Sequence, residues 1–250
     1  MIPHILYQTW KTKTVPDDMK PYRKEWLNFT PGWSHPLLDD EDNRKLVQKY
    51  FPQYLDDYDG FTKNIERVDF ARYVMMYCGG VYADLDTHPL KSIDKWMTTN
   101  KIVLGREPLE HARKIYGREI VICNAFILSP PKLEFWSLLL EWIVDHYEHN
   151  YDAVYNTGPM AITLFFEAHP EAFEDVIITD PCVFYPLLGD GTVSKECDGL
   201  KESYVAHEWN NTWVPSVWTD PKWFNRRYWC YALTFIFVML WIVLWLRRKK

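Results

Sequence analysis

Two aspartates one residue apart, Asp84 and Asp86, sit in the stretch GGVYADLDTHPL at residues 79–90. An apolar run after a glycine pair reads as a chain entering a buried sheet, where unpaired carboxylates repel one another and resist desolvation. Taken as a strand, VYADLD puts both carboxylates on one face and Leu85 on the other, so both can reach a single ion. Hard dications such as Mg²⁺ or Mn²⁺ take one or two carboxylates together with substrate phosphates and water. The spacing therefore points to a site for a metal and a phosphate. Asp40/Asp42 and Asp57/Asp59 share it, but both stand in polar, turn-like sequence.

The preceding segment, 64–80, reads as a helix stopped by glycine, with Asp69 and Arg72 sharing a face, Glu66 one turn earlier, and Phe70, Val74 and Met75 on an apolar face. Asp69 and Arg72 are either a surface ion pair or, because the helix runs straight into the carboxylate strand, neighbours of that site. His207, in YVAHEW, is a ligand or a structural histidine at a strand end. Asn124 stands in an otherwise apolar strand, where it serves the sheet or faces a substrate. NTGP (156–159) starts a helix, with Asn156 or Thr157 capping and Pro159 in the first turn. His4, His88 and His111 read as structural or surface residues.

These groups need a scaffold. IPHILYQTW (2–10) opens with a strand, and VYADLD, IVLG (102–105), IVICNAFIL (120–128) and VIIT (176–179) follow as strands. Helices are expected in PDDMKPYRKEWLNF, with acidic residues in its first turn, in DDEDNRKLVQKYF, and near 132–149 and 158–168. Strands alternating with helices predict an α/β sheet with a crevice at the carboxyl ends of its strands.

The blocks IPHILYQTW, DFARYVMMYCGGVYADLDT, NAFILSPP, NTGP and AHEWNNTW, in this order, resemble the DxD-motif glycosyltransferases related to fungal initiation-specific mannosyltransferases and inositol-phosphoceramide mannosyltransferases. The resemblance implies a single GT-A-like (Rossmann-like) catalytic domain over residues 1–215, a nucleotide-sugar donor such as GDP-mannose or a UDP-hexose, and retention of anomeric configuration. It also implies roles by position. Asp84, Asp86 and His207 would hold Mn²⁺ or Mg²⁺. Asp69 would bond donor-sugar hydroxyls, Arg72 would contact the sugar or diphosphate, and Asp69, Arg72 and Asp86 would form the catalytic set. Gln8, Thr9 and Trp10 would line the nucleotide pocket, Trp213 would close over the phosphates, and Asn124 and Gly158 would complete the donor site. Ala83 departs from the family pattern, which has a larger apolar residue there.

The 250 residues are 48% hydrophobic, enough for one sizeable core, and the net charge of −6 gives no overall basic field for nucleic acid. Thirteen Trp and sixteen Tyr suit stacking on sugar or base faces as well as a core and a membrane belt. The five cysteines are scattered without a CxxC, so neither a zinc site nor a disulfide framework is expected. Residues 228–246 contain no charge and as a helix span about 28 Å, which predicts a transmembrane anchor in the lipid bilayer after a linker (216–227) and before a basic tail (247–250). Tail-anchored insertion with the domain facing the cytosol is the mechanical default, although flanking charges are too balanced to fix orientation. Asn28-Phe29-Thr30 and Asn210-Asn211-Thr212 are glycosylation sequons that matter only in a lumenal domain. Transfer of a hexose to a glycan or glycolipid acceptor is the expected activity. Metal-dependent hydrolysis of a nucleotide sugar or phosphodiester and sugar binding without turnover are the alternatives.

Overall fold

Apolar runs bounded by breakers become strands β1 (Leu6–Thr9), β2 (Leu37–Leu38), β3 (Gly80–Ala83), β4 (Thr87–Pro89), β5 (Ile102–Arg106), β6 (Ile122–Ser129), β7 (Val176–Thr179) and β8 (Val205–His207) in the computed structural model, which describes residues 1–210. Six of them form one sheet in the order β2-β1-β3-β6-β5-β7, and β4 pairs with β8 in a separate ribbon. β1 is parallel to β2 and β3, and β5 is parallel to β7. β6 runs antiparallel to both β3 and β5, a reversal that alternating strands and helices do not foretell.

Period-two alternation sorts the core into two faces. Ile102, Leu104 and Ile127 pack with Tyr73, Leu139 and Ile162 from the helices Asn64–Cys78, Glu134–Asp145 and Pro159–Ala168. Val103, Phe126 and Leu128 face the other way, onto Trp26, Trp96 and Phe184. All eight residues of β6 are buried. Asn124, in the middle of that strand, must therefore find partners inside the protein.

Gly79 and Gly80 make the turn from the Asn64–Cys78 helix into β3. Gly79 has φ +84°, and a Cβ there would lie 2.7 Å from the Pro131 nitrogen. Gly80 has φ +132°, and its Cβ would lie 2.8 Å from the Ile5 carbonyl oxygen. Only glycine takes such backbone at such close approach, so this pair lets a buried helix feed straight into the central sheet.

Several expectations change. The helix in PDDMKPYRKEWLNF spans Lys20–Phe29, with Pro21 in its first turn and Asp17 and Asp18 before it, because proline favours the start of a helix. The Asn64–Cys78 helix is buried over most of its circumference, not on one face, since the sheet and several neighbouring helices enclose it. β3 ends at Ala83, so Asp84 and Asp86 lie in a turn rather than on a strand. Cys182 and Cys197 form a disulfide, against the expectation of none, because the fold brings together positions 15 residues apart that no motif links. Among the described residues no helix is long and apolar enough to cross a membrane. Trp213, the linker 216–227, the apolar span 228–246 and the tail 247–250 lie outside those residues.

Candidate active site

The two aspartates are aimed by a turn. Asp84 donates its backbone N–H to the Ala125 carbonyl at 2.8 Å, while its own carbonyl accepts from the Thr87 N–H at 3.1 Å and the Thr87 hydroxyl at 2.7 Å. The Gln8 amide reaches the same carbonyl at 3.4 Å. Thr87 opens β4, which pairs in register with His207 on β8. That ribbon sets the His207 Nε2 atom 3.1 Å from Asp86 Oδ1, and the Glu208 N–H bonds the Asp86 carbonyl at 3.0 Å. Ligand atoms from Asp84, Asp86 and His207 all lie within 4.8 Å of one another, so two carboxylates and an imidazole converge as a dication requires. Burial alone would lower the His207 pKa, but the Asp86 carboxylate raises it well above the ordinary value. In the metal-free protein, then, a proton on His207 offsets the charge that a metal would neutralise.

Arg72 joins this turn to the helix behind it. Its guanidinium is buried, 3.1 Å from Asp84 Oδ1 and 3.3 Å from Asp69 Oδ1, and it donates to the Asn124 carbonyl at 2.9 Å. It also lies 4.4 Å from the centroid of the Tyr82 ring, whose hydroxyl donates to Asp84 Oδ1 at 2.7 Å. The Arg72 Nε has no hydrogen-bond partner among the described residues. Asp69 accepts from the Asn124 amide at 3.0 Å and the Thr157 hydroxyl at 3.1 Å. Burial pushes the Asp69 pKa up to about 6, against the pull of Arg72 and with a further push from Asp84. Burial also raises Asp84, opposed by Arg72 and reinforced by Asp86. One cation thus holds two carboxylates ionised where desolvation disfavours both.

The remaining expected donor residues are placed unequally. Gln8 is fully buried, bonded to the Asp84 carbonyl and to Arg23, and so belongs to the turn. Thr9 is committed to the Leu38 carbonyl and the Asn43 amide, and Trp10 is half-buried beside it. Asn124 gives its amide to Asp69 and to the Tyr73 hydroxyl, which makes it a holder of Asp69. Gly158 bonds the Ala153 carbonyl at 3.0 Å and lets the chain pass Val154, which brings Thr157 next to Asp69. Of the other acidic pairs, Asp42 closes a capping box with Asp39, and Asp59 pairs with Arg44.

Sequence reasoning missed Tyr82, Thr157 and Glu107. Tyr82 stands two residues before Asp84, but its residue type does not announce the bond, and no spacing rule links Thr157 or Glu107 to Asp84. Glu107 follows β5, is 1% exposed, and has one carboxyl oxygen with no hydrogen-bond partner among the described residues. Burial lifts its pKa to about 8, only partly offset by His207 and by Tyr116, whose hydroxyl lies 3.4 Å away. His111 likewise proves to be buried, its ring 4.5 Å from that of Trp209, while the His207 ring lies 4.3 Å from the same indole. A carboxyl whose folded pKa exceeds its unfolded value of 4.5 binds more protons in the folded state. Stability then falls as pH rises from about 4.5 to about 8. Glu107→Gln is expected to remove this slope, making the protein more stable than the parent at pH 8 by on the order of a few kcal/mol, seen as a higher Tm there, with little change at pH 5. Parallel pH–Tm curves for the two proteins would refute it.

Residues 16–103 match the glycosyltransferase sugar-binding region containing the DXD motif. Over 221 residues the chain is 29% identical to inositol phosphoceramide mannosyltransferase 3 of Schizosaccharomyces pombe, covering 83% of this chain and 60% of that protein. It is 30% identical over 113 residues to the initiation-specific alpha-1,6-mannosyltransferase of Candida albicans, covering 42% and 29%. An uncharacterized glycosyltransferase of Acanthamoeba polyphaga mimivirus is 23% identical over 100% of this chain and 98% of its own length. Two solved structures share the fold. They are the PaToxG glycosyltransferase (16% identity, TM-score 0.53, 69% of this chain and 73% of that one) and the glycosyltransferase domain of the YGT toxin (8%, 0.53, 71% and 80%). The motif, the turn that presents it and these matches agree in likening the chain to the DXD-motif glycosyltransferases, among them the fungal inositol-phosphoceramide and initiation-specific mannosyltransferases, of whose length it spans about 60% and 29% in the two fungal proteins given.

Proposed function

We propose that this protein is a metal-dependent, retaining hexosyltransferase that moves a hexose, mannose foremost, from GDP-mannose or a UDP-hexose to a glycan or glycolipid acceptor at a membrane. The observation that carries the reading is the convergence of Asp84, Asp86 and His207 beside the Arg72-bridged Asp69. Mn²⁺ or Mg²⁺ held by those three residues would supply a Lewis acid for the departing diphosphate. Asp69, fixed by Asn124 and Thr157, accepts hydroxyls of the donor sugar and orients its anomeric carbon. Arg72 keeps both carboxylates in place, and its positive charge favours negative charge developing nearby. Both Asp69 oxygens already accept hydrogen bonds, which favours front-face substitution over attack by this carboxylate. In that pathway the departing phosphate oxygen takes the proton of the acceptor hydroxyl as the new glycosidic bond forms. The deciding experiment incubates the full chain in detergent with Mn²⁺ and a panel of nucleotide sugars and acceptors. Transfer abolished by chelator is expected; hydrolysis without transfer, binding without turnover, or turnover indifferent to chelator would each discard the reading.

We also infer that the domain faces an oxidising compartment. The Cys182–Cys197 disulfide supports this, since such bonds persist outside the reducing cytosol. Asn28, in an Asn-Phe-Thr sequon, is exposed on the Lys20–Phe29 helix and could carry an N-linked glycan there. In a eukaryotic host, glycosidase treatment is expected to shift the parent protein but not Asn28→Gln, and Cys182 and Cys197 should resist alkylation until reduced. Both thiols alkylating without reductant, with no glycan, would place the domain in the cytosol.

A further inference from the structure

His207 is hydrogen-bonded on one side only. Its Nε2 faces Asp86 at 3.1 Å, while its buried Nδ1 has no hydrogen-bond partner among the described residues. Histidines that bind metals ordinarily donate the second nitrogen to a carboxylate, a carbonyl or water, which fixes the rotation of the ring and so the direction of the first. The Cys123 thiol acts on this imidazole, but a thiol is a weak hydrogen-bond partner and leaves the rotation loosely set. The ring must therefore be oriented by packing.

Trp209 supplies that packing. It stands two residues after His207, and its ring centroid lies 4.3 Å from that of the imidazole, with the planes inclined by 42°. Its backbone is left-handed, φ +55°, a conformation that a bulky residue rarely adopts unless its surroundings impose it. Contacts of the indole hold it there. Its N–H donates to the Leu187 carbonyl at 2.8 Å, and the His111 ring stands across it at 84°. His111 is held in turn, its Nε2 accepting from the Gly189 N–H at 3.1 Å. Leu187 and Gly189 belong to the loop closed by the Cys182–Cys197 disulfide, in which Leu187 pairs with Val193 and the Ser194 N–H bonds the Pro186 carbonyl at 2.8 Å. The indole is thus tied by its polar end to a cross-linked loop, with its ring against the metal ligand.

We propose that Trp209 is a positioning residue for metal binding: its indole, anchored at Leu187, sets the rotation of the His207 imidazole and keeps Nε2 aimed at the ion shared with Asp84 and Asp86. This rests on the metal-dependent reading of the site and adds a residue that acts through a ligand rather than as one. An imidazole without this neighbour spends part of its time with Nε2 turned away, and affinity for the ion falls with the fraction of time that the ring is correctly aimed.

The test is a Mn²⁺ titration of the full chain in neutral detergent, with the free ion read by its electron paramagnetic resonance signal. Nucleotide is left out, since a diphosphate in solution would take up the ion itself. Trp209→Leu is expected to bind Mn²⁺ about tenfold more weakly than the parent. The same substitution made in His207→Ala should change the affinity by less than about twofold, because no imidazole is left to aim. Trp209→Phe keeps a ring against His207 and gives up the N–H bond to Leu187, so its affinity should fall between those of the parent and Trp209→Leu. Should melting curves show that Trp209→Leu folds poorly, Trp209→Phe takes its place in both backgrounds. An equal loss with and without His207 would mark a general structural role and overturn the proposal. So would unchanged affinity in both tryptophan variants of a parent that itself binds Mn²⁺. A parent that takes up no Mn²⁺ would instead discard the metal-dependent reading, and the proposal with it.

Discussion

Asp86→Ala is expected to reduce metal-dependent donor turnover by about 10³-fold or more, corresponding to a loss of several kcal/mol of leaving-group stabilisation. Asp86 is 7% exposed and supplies one of three converging ligands, and no other carboxylate among the described residues joins that set. The substitution also removes the carboxylate that most raises the His207 pKa, so burial, which lowers it, is less opposed, and no metal site is regained. His207→Ala leaves both aspartates and should cost less, about 10- to 100-fold, recoverable in part by added Mn²⁺. Released nucleotide measured against Mn²⁺ concentration checks both. Asp86→Ala turning over within tenfold of the parent, with an unchanged melting curve, would remove the metal site from the mechanism.

Arg72→Met should be the most destabilising single change at the site. Among the described residues the guanidinium is the one cation bonded to both Asp69 and Asp84, and its side chain is 4% exposed. Its loss leaves two buried carboxylates uncompensated, at a cost of about 3–5 kcal/mol, or a fall in Tm of about 10 °C. The sign with pH follows. Without Arg72 the folded pKa values of Asp69 and Asp84, already raised by burial, rise further. The variant therefore loses most stability at neutral pH and above, and least below about pH 4, where both groups are protonated in the folded and unfolded states alike. Lysine is a poor replacement because an ammonium cannot bridge two carboxylates with a planar fork. Adding Asp69→Asn to Arg72→Met should restore part of the stability, since it removes one of the stranded charges. Denaturant melts at pH 4 and pH 7.5 check this, and equal losses at both would contradict it.

The candidate ligands were more legible in the sequence than the geometry that brings them together. β7 matches VIIT residue for residue, and the helices beginning at Asn64, Glu134 and Pro159 lie where periodicity and breakers put them. Asp84 and Asp86 do converge, but through a turn pinned by Thr87 and Gln8 rather than by strand alternation. A period of two cannot reveal that β3 has ended at Ala83, because Leu85 is 4% exposed and looks like the next inward residue of a strand. Tyr82, Thr157 and Glu107 were illegible for another reason. Thr157 meets Asp69, and Glu107 meets Tyr116 and His207, only in the folded chain, while Tyr82, two residues from Asp84, carries no signature that tells a tyrosine bonded to a carboxylate from one packed in the core. The disulfide was hidden in the same way, since only the fold brings Cys182 to Cys197.

The pairing of Thr87 with His207 across 120 positions has a temporal consequence. A growing chain possesses Asp69, Arg72, Asp84 and Asp86 well before the residues that finish the pocket, and closing so long a loop is entropically slow. On the proposed function, premature capture of ion or nucleotide by a half-made polypeptide would thereby be discouraged, and competence to bind would come late, once most of the described residues have assembled.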